Sequence, residues 1–234
     1  MNESECLRGV RQASRLQVES RLVVILKKEP LAKMNIIDYF KTFGYLTVEE
    51  INFAMDFFIP EEIKKGAFYL KEGQVSNKVS FIEKGLFRLF YQLDGEEKIM
   101  LFFSESQLMA DYFGFLTETA SIRPIQALED SLIYSIEKRN LNKLFDYSKN
   151  WERIGRQLAE SAYVTSVLRA NRLLHDDYNT RVKTFLEESP SLMQRVPQYM
   201  IASYLNMTPE TLSRVKRRIK RTGDVKDTIH NVKG

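Results

Sequence analysis

The 234-residue sequence contains few of the residues that bind metals or form disulfides. It has one cysteine, Cys6, and two histidines, His175 and His230. One thiol cannot form an internal disulfide or hold an iron–sulfur cluster, and neither histidine lies within residues 60–136, so that segment has no imidazole ligand for a metal or haem. The sequence therefore predicts no metal or cofactor. A chain without disulfides also favours a reducing, cytoplasmic compartment.

Long hydrophobic runs and enzyme motifs are missing as well. The longest apolar run near the start covers residues 22–26, whereas about 20 residues are needed to span a bilayer. The sequence has no Gly-rich phosphate loop, no Gly-x-Ser-x-Gly elbow and no spaced His/Cys set. We therefore predict neither an enzyme nor a membrane partner.

Residues 1–33 form a basic N-terminal extension, and since Met34 begins a new apolar pattern, this extension can be a leader or an added segment.

The segment from Pro60 to Ile136 has the pattern of an all-β domain. Short β-branched and aromatic runs, such as "KVSFIEKG", "LFRLFYQL" and "EKIMLFF", alternate with turn residues. Asp94-Gly95 lies between the last two runs and is a strong hairpin signal. A sandwich or barrel follows.

Helical periodicity replaces the β pattern from about Asn140 and predicts one long helix or two in tandem. Its apolar residues form two stripes around the axis. One stripe can cover the β-domain, and the other needs a partner, for which the same helix of a second copy is the simplest choice. The alternative is that both stripes pack within one subunit. The candidate dimerisation residues are Trp151, Ile154, Leu158, Val164, Val167 and Leu168.

Two short helices near the C-terminus have the spacing of a helix-turn-helix. The first covers residues 198–205 and the second 209–221, with three residues between them. Thr208 is a suitable N-cap and Pro209 suits the first helical position. An apolar stripe on the second helix faces a core, and its far end is basic. The stripe residues are Leu212, Val215 and Ile219, and the basic residues are Arg217, Arg218, Lys220 and Arg221.

In order and spacing, these features resemble the cyclic-AMP receptor protein / fumarate-nitrate regulator (Crp/Fnr) superfamily of bacterial transcription factors. The resemblance covers residues 36–221. It rests on the glycine series Lys65-Gly66, Glu72-Gly73, residues 81–85 "FIEKG" and Asp94-Gly95, then on the long helix and residues 208–214 "TPETLSR". Residues 115–131 look most like a divergent branch found in Bacteroidetes-type bacteria.

The resemblance implies an α+β chain with four segments. These are the extension 1–33, a jelly-roll (double-stranded β-helix) cyclic-nucleotide-binding-like sensor domain 34–139, a dimerisation helix 140–175 and a helix-turn-helix DNA-binding domain 176–234. The flanking residues leave little room for strands, so we expect a reduced wing. The implied partners are double-stranded DNA with an inverted-repeat operator, a second copy of the chain and, as for other bacterial transcription factors, RNA polymerase.

In a family-like pose, the first turn of the second helix enters the major groove. Glu210 can accept a hydrogen bond from cytosine and Arg214 can donate two to guanine. Thr208, Thr211 and Ser213 are candidates for phosphate or sugar contacts, and the basic end neutralises phosphates. The alternative is that Glu210 and Arg214 form an ordinary i, i+4 surface pair.

The sensor motif departs from that of cyclic-nucleotide-binding relatives. Those proteins carry Phe-Gly-Glu and Arg-Ser/Thr, whereas this chain has Tyr112-Phe113-Gly114-Phe115 and Arg123-Pro124. Cyclic AMP is therefore not the expected effector, and the effector stays unknown. Two alternatives remain for this segment: Arg123 can meet another anion or be an exposed loop residue, and aromatic residues including Phe102, Phe103, Tyr112 and Phe113 can line an apolar cavity or form plain core.

One rival function remains at this point. A ligand-binding signalling module that acts on a protein partner would also need a β-domain and helices. Its affinity for duplex DNA would then depend little on salt.

Overall fold

The structure is a computed structural model that describes residues 34–222. The predicted N-terminal extension with Cys6, and residues 223–234 with His230, lie outside the described residues.

Eight strands form the β-domain (residues 59–137). Their bounds are β1 Ile59–Ile63, β2 Phe68–Leu70, β3 Lys78–Lys84, β4 Phe87–Leu93, β5 Glu96–Phe103, β6 Leu108–Met109, β7 Ile125–Ala127 and β8 Ser131–Glu137. They make two four-stranded antiparallel sheets with the orders β1-β8-β3-β6 and β2-β7-β4-β5. This is jelly-roll connectivity, and it confirms the predicted all-β sandwich.

The hairpin between β4 and β5 is the one that its sequence indicates. Asp94 and Gly95 join the strands with φ of 51° and 80°, as a two-residue hairpin loop with positive φ at both positions requires. The hairpin places β5 at the edge of its sheet, next to β4 alone.

Side chains from both sheets fill the interior of the sandwich. Its fully buried members include Ile82, Phe87, Ile125 and Ile133. Gly85, between β3 and β4, has φ of 122°, and a Cβ there would lie 2.0 Å from Ser131 Oγ. Only glycine fits this close approach of two chain segments.

Nine helices are described outside the strands or between them. Their bounds are α1 Ile36–Lys41, α2 Val48–Met55, α3 Tyr112–Thr117, α4 Lys138–Tyr147, α5 Lys149–His175, α6 Tyr178–Glu188, α7 Leu192–Arg195, α8 Gln198–Tyr204 and α9 Pro209–Thr222. Within residues 34–222, no helix combines the length and apolar character needed to cross a membrane.

The predicted helical stretch after residue 140 is two helices in tandem, α4 and α5, separated at Ser148. The Ser148 side chain accepts a hydrogen bond from Trp151 N and so caps α5. Ser148 Oγ also donates to Glu50 Oε1 over 2.5 Å, and Trp151 Nε1 donates to Glu50 O over 3.2 Å. Helix α2 is therefore tied to the start of α5.

Part of the predicted dimerisation set requires correction. Trp151 and Ile154 are each 2% exposed and lie in an apolar cluster with Phe40, Ile51 and Phe81 of the same subunit. They cover the β-domain and cannot contact a second copy. Leu158 packs partly against the same cluster.

The C-terminal helices α6 to α9 share one apolar cluster. Ala202 and Leu212 are both fully buried where α8 meets α9, and Leu205, Val215 and Ile219 lie in the same cluster. The predicted inward stripe is therefore confirmed. Leu86, Phe90 and Ile99 of the β-domain also belong to this cluster, so the C-terminal helices pack directly on the β4–β5 sheet.

Candidate nucleic-acid interface and sensor site

A tight turn joins α8 to α9. Asn206 has φ of 53°, a left-handed conformation that asparagine tolerates better than most residues. Met207 N donates to Ala202 O over 3.0 Å, which closes the turn. Because Ala202 has a small side chain and is fully buried, the two helices approach closely at this point.

The first turn of α9 is capped as its sequence predicts. Thr208 Oγ1 accepts a hydrogen bond from Thr211 N over 3.2 Å, and Pro209 is the first helical residue. The backbone N–H of Glu210 and the Thr208 side chain lower the pKa of the Glu210 carboxyl. Glu210 is therefore ionised near neutral pH and remains an acceptor.

The outward face of α9 carries exposed side chains along a shallow groove. We call this set the reading face, and it consists of Pro209, Glu210, Ser213, Arg214 and Arg217. Although four residues apart and both exposed, Glu210 and Arg214 form no ion pair with each other within the described residues. The ordinary i, i+4 surface pair is thus not made, and both side chains are exposed, although the Glu210 carboxylate also interacts with the Thr208 cap.

The far end of α9 concentrates positive charge. Arg217, Arg218, Lys220 and Arg221 are all exposed. Burial, followed by repulsion from Lys220, lowers the pKa of Lys216. A concentrated basic surface of this kind favours a polyanionic partner.

A second groove lies between the start of α6 and the inner side of the reading face. Its volume is about 260 Å³, and Tyr178, Asn179, Thr211, Arg214 and Arg218 are among the residues that line it. Thr211 is half-buried here. Of the predicted contact residues, Thr211 is therefore the least accessible.

The apolar residues of α5 that remain exposed lie beyond its packed first turns. Tyr163 is 72% exposed, Leu174 is 77% exposed, and Val167 and Leu168 are each 39% exposed. Val164 is half-buried. Tyr163, Val167 and Leu174 follow i, i+4, i+11 spacing and so lie on one side of the helix.

The predicted sensor segment contains an ion pair that the sequence did not reveal. Arg123 forms a salt bridge with Asp111, and the side chains are 14% and 2% exposed. Ser121 Oγ donates to Asp111 Oδ2 over 2.6 Å and accepts from Arg123 N over 3.0 Å. Arg123 Nε is buried without a hydrogen-bond partner. Arg123 is therefore a half-buried, paired residue, and the exposed loop arginine is the wrong alternative.

Gly114 belongs to this cluster because of its size. A Cβ at Gly114 would lie 2.7 Å from Asp111 Oδ2. The guanidinium of Arg123 lies 5.3 Å from the centroid of the Phe113 ring. Phe113 is itself 62% exposed, so it covers the guanidinium on one side only.

The aromatic residues expected to line one cavity are distributed over separate clusters. Phe102 contacts Tyr204 of α8, with ring centroids 5.4 Å apart, and Phe103 packs against the interior of the sandwich. Tyr112 and Phe113 lie at the surface of α3. Of the two alternatives for these residues, plain core therefore describes Phe102 and Phe103, whereas Tyr112 and Phe113 lie apart from them. Within residues 34–222, no cluster of His, Cys, Asp and Glu has the geometry to hold a metal ion.

Comparisons with known proteins agree with this architecture. Residues 60–148 match the family model of the cyclic nucleotide-binding domain. The structure of FixK2 from Bradyrhizobium japonicum is similar, with a TM-score of 0.62 and 18% identity over 71% of this chain and 86% of that one. A CooA mutant from Carboxydothermus hydrogenoformans has a TM-score of 0.59 and 17% identity, and the match covers 72% of this chain and 79% of that one. A putative transcriptional regulator of the Crp/Fnr family from Eubacterium rectale has a TM-score of 0.59 and 18% identity, and the match covers 79% of this chain and 88% of that one.

No curated protein sequence matched the chain. Residues 60–148 are thus similar to a cyclic nucleotide-binding domain, and the predicted resemblance to Crp/Fnr-family regulators is confirmed in the fold. The C-terminal boundary of the match, residue 148, coincides with the break between α4 and α5.

Proposed function

We propose that the protein is a homodimeric, sequence-specific DNA-binding transcription regulator in which α8 and α9 form a helix-turn-helix. The observation that carries this proposal is the division of α9 into two faces. Leu212, Val215 and Ile219 are buried against α8 and neighbouring helices, whereas the reading face is exposed and has no ion pair between Glu210 and Arg214. A helix held in this way can enter a major groove without losing its own packing.

Arg214 is the principal base-reading residue in this proposal. An unpaired guanidinium can donate two hydrogen bonds to guanine O6 and N7, worth about 1 to 3 kcal/mol of discrimination. The ionised Glu210 can accept from cytosine N4, and it repels phosphate where no such donor is present. These two side chains therefore supply most of the specificity.

Sequence-independent affinity comes from the basic end and the cap. Arg217, Arg218, Lys220 and Arg221 neutralise phosphates, and the exposed side chains of Thr208 and Ser213 are available for phosphate or sugar contacts. The wing stays a prediction. All strands within residues 34–222 lie between residues 59 and 137, and the residues after 222 are not described.

A dimer is the assembly that best explains α5. Its exposed apolar side chains, Tyr163, Val167, Leu168 and Leu174, would be covered by the same helix of a second copy. Two reading faces related by a two-fold axis would then fit half-sites about 34 Å apart on an inverted repeat.

The sensor site supports an effector other than cyclic AMP bound in the usual way. The Asp111 carboxylate already neutralises Arg123, so a phosphate would have to displace a buried negative charge before it could pair with the guanidinium. Pro124 next to Arg123 offers no N–H to a phosphate. We infer that phosphate recognition at this position is unfavourable in the present arrangement.

Selection of bound duplexes from a random pool tests the proposed function directly. We expect an inverted repeat to be enriched by the wild-type protein at near-physiological salt. Arg214→Ala should weaken binding to the selected duplex by about 1 to 3 kcal/mol while it lowers binding to a scrambled duplex less. Arg139→Ala is the matched control, because Arg139 is exposed and pairs with Glu137 in the β-domain. Equal losses on both duplexes would make Arg214 a phosphate contact, and no enrichment of any repeat would contradict dimeric reading.

A further inference from the structure

The polar contact of helix α7 with the β-domain is made by one arginine, beside the apolar cluster that α7 shares with that domain. The Arg195 guanidinium bridges two carboxylates, with Nη1 and Nη2 donating to Glu105 over 2.8 and 2.9 Å and Nε and Nη2 donating to Glu129 over 2.9 and 2.6 Å. Nη2 also lies 3.3 Å from Gly85 O. The side chains of Arg195, Glu105 and Glu129 are 24%, 12% and 36% exposed. Both carboxylate contacts are bidentate, the strongest geometry available to arginine.

The two carboxylates belong to separate loops of the β-domain. Glu105 lies between β5 and β6, and Glu129 lies between β7 and β8. Without the guanidinium, two negative charges would face each other in a partly buried site. Burial opposes the ionisation of Glu105, but hydrogen bonds from Arg195 outweigh it and the pKa of Glu105 is lowered. Arg195 therefore fixes both loops as well as the position of α7.

Helix α8 makes a second polar contact, at the open edge of β5. Ile99 N donates to Ser203 Oγ over 3.0 Å, and Ser203 Oγ donates to Glu97 O over 3.1 Å. A single hydroxyl thus satisfies a donor and an acceptor that an edge strand leaves unpaired. The neighbouring Tyr204 packs on Phe102 of β5, and its ring lies 4.0 Å from the guanidinium of Arg169 on α5. Helix α8 is therefore attached to both the β-domain and α5.

These contacts leave the reading face free. Pro209, Glu210, Ser213, Arg214 and Arg217 are exposed while Arg195 and Ser203 are engaged. The contact between domains consequently orients α9 and does not cover it, which distinguishes it from an autoinhibitory contact.

We propose that Arg195 is a latch through which the two loops carrying Glu105 and Glu129 set the orientation of α9 on the β-domain. The Arg195 contact holds the C-terminal helices in one position before DNA binds. Folding has then already ordered them, so DNA binding does not carry that entropic cost. A change in either loop would release the latch and loosen the orientation, which the Ser203 contact and the apolar cluster alone would then maintain. The proposal has two halves. The mechanical half, that Arg195 holds the C-terminal helices on the β-domain, stands by itself. The functional half, that this orientation favours DNA binding, rests on the proposed function.

Hydrogen exchange of the full-length chain, without DNA, tests the mechanical half. The amide of Ile99 reports on the contact, since its partner is Ser203 on α8. In Arg195→Ala, this amide should exchange about tenfold faster than in wild type, while amides of the β3–β8 pairing should not change. Arg195→Lys keeps one positive charge and should give an intermediate rate, and it serves as the test variant if Arg195→Ala does not fold. Arg139→Ala is the control and should exchange as wild type does. An unchanged rate at Ile99 in folded Arg195→Ala and Arg195→Lys would overturn the latch.

Binding to duplexes tests the functional half. Arg195→Ala should bind a two-half-site duplex about tenfold more weakly than wild type, with affinity for a single half-site changed less than about twofold. An unchanged or higher two-half-site affinity, together with faster exchange at Ile99, would overturn the orienting role and leave the proposed function intact. If the wild type bound neither duplex, the proposed function would fail and the orienting role with it, while exchange at Ile99 would still decide whether the latch exists.

Discussion

Replacing Asp111 by asparagine removes one charge from the buried pair with Arg123 at almost constant volume. Asp111 is 2% exposed at its side chain, and its partners are the Arg123 guanidinium and Ser121 Oγ. The asparagine can still accept from Ser121. The guanidinium loses its counter-charge while it remains 14% exposed.

The expected cost follows from the burial of the remaining charge. Removing one partner of a buried ion pair typically costs about 3 to 5 kcal/mol. Because Arg123 retains some contact with solvent, we expect the lower value, about 3 kcal/mol. At about 2 to 4 °C per kcal/mol for a protein of this size, the midpoint of thermal unfolding should fall by about 6 to 12 °C.

A double-mutant cycle in urea measures the pair separately from other effects. Asp111→Asn should cost about 3 kcal/mol alone, and Arg123→Gln combined with it should cost less than the sum of the two single changes. Inorganic phosphate should stabilise Asp111→Asn more than the wild type, because the unpaired guanidinium becomes an anion site in the folded state. This comparison tests whether the Asp111 carboxylate neutralises the Arg123 guanidinium in the wild-type protein.

Two results would refute this reasoning. A loss below about 1 kcal/mol in Asp111→Asn would mean that the pair is effectively solvated. Additive losses, with no extra effect of phosphate on the variant, would mean that Asp111 and Arg123 do not act on each other.

The remaining predictions concern α5 and its junction with α2. Trp151→Ala should lower the free energy of unfolding by about 3 to 5 kcal/mol, because the side chain is 2% exposed inside the subunit. Val167→Asp should leave that free energy within about 0.5 kcal/mol but shift light-scattering mass from dimer to monomer, and a persistent dimer would contradict the proposed interface. Burial raises the pKa of Glu50, but hydrogen bonds from Ser148, Thr47 and Asn150 outweigh this effect and lower it. Ionised Glu50 therefore adds to the free energy of unfolding above its unfolded pKa of about 4.3, and this stabilisation is lost as the pH falls through the lower pKa of the folded state. Glu50→Gln should consequently lose less stability than wild type between about pH 5 and pH 3. An identical pH profile in both proteins would refute that role.

Local signals were sufficient where one short segment determines its own conformation. The Asp94-Gly95 hairpin, the Thr208 cap and the inward stripe of α9 all follow from residues a few positions apart. The order of turns and strands also predicted the sandwich. These features depend on backbone preferences and on hydrophobic periodicity, which the sequence displays directly.

Pairings between distant segments could not be predicted in the same way. Asp111 and Arg123 meet because α3 and the following loop fold back on each other. Asp111 precedes the motif around Phe113, and no local pattern in the sequence pairs it with Arg123. Arg195 lies 66 and 90 positions from its two carboxylates. Likewise, the sequence shows two apolar stripes on α5 but not which one faces the β-domain, and Trp151 was therefore assigned to the wrong surface.

The salt dependence of duplex binding tests the central claim, that two copies of α9 contact DNA, most directly. If Arg217, Arg218, Lys220 and Arg221 of each copy neutralise phosphates, about eight contacts form, and log K should fall with log salt concentration with a slope of about −7. Replacing Arg221 by alanine should make that slope shallower by about 2, since a dimer loses two contacts. A slope shallower than about −2 for the wild type, or no change in Arg221→Ala, would contradict the account.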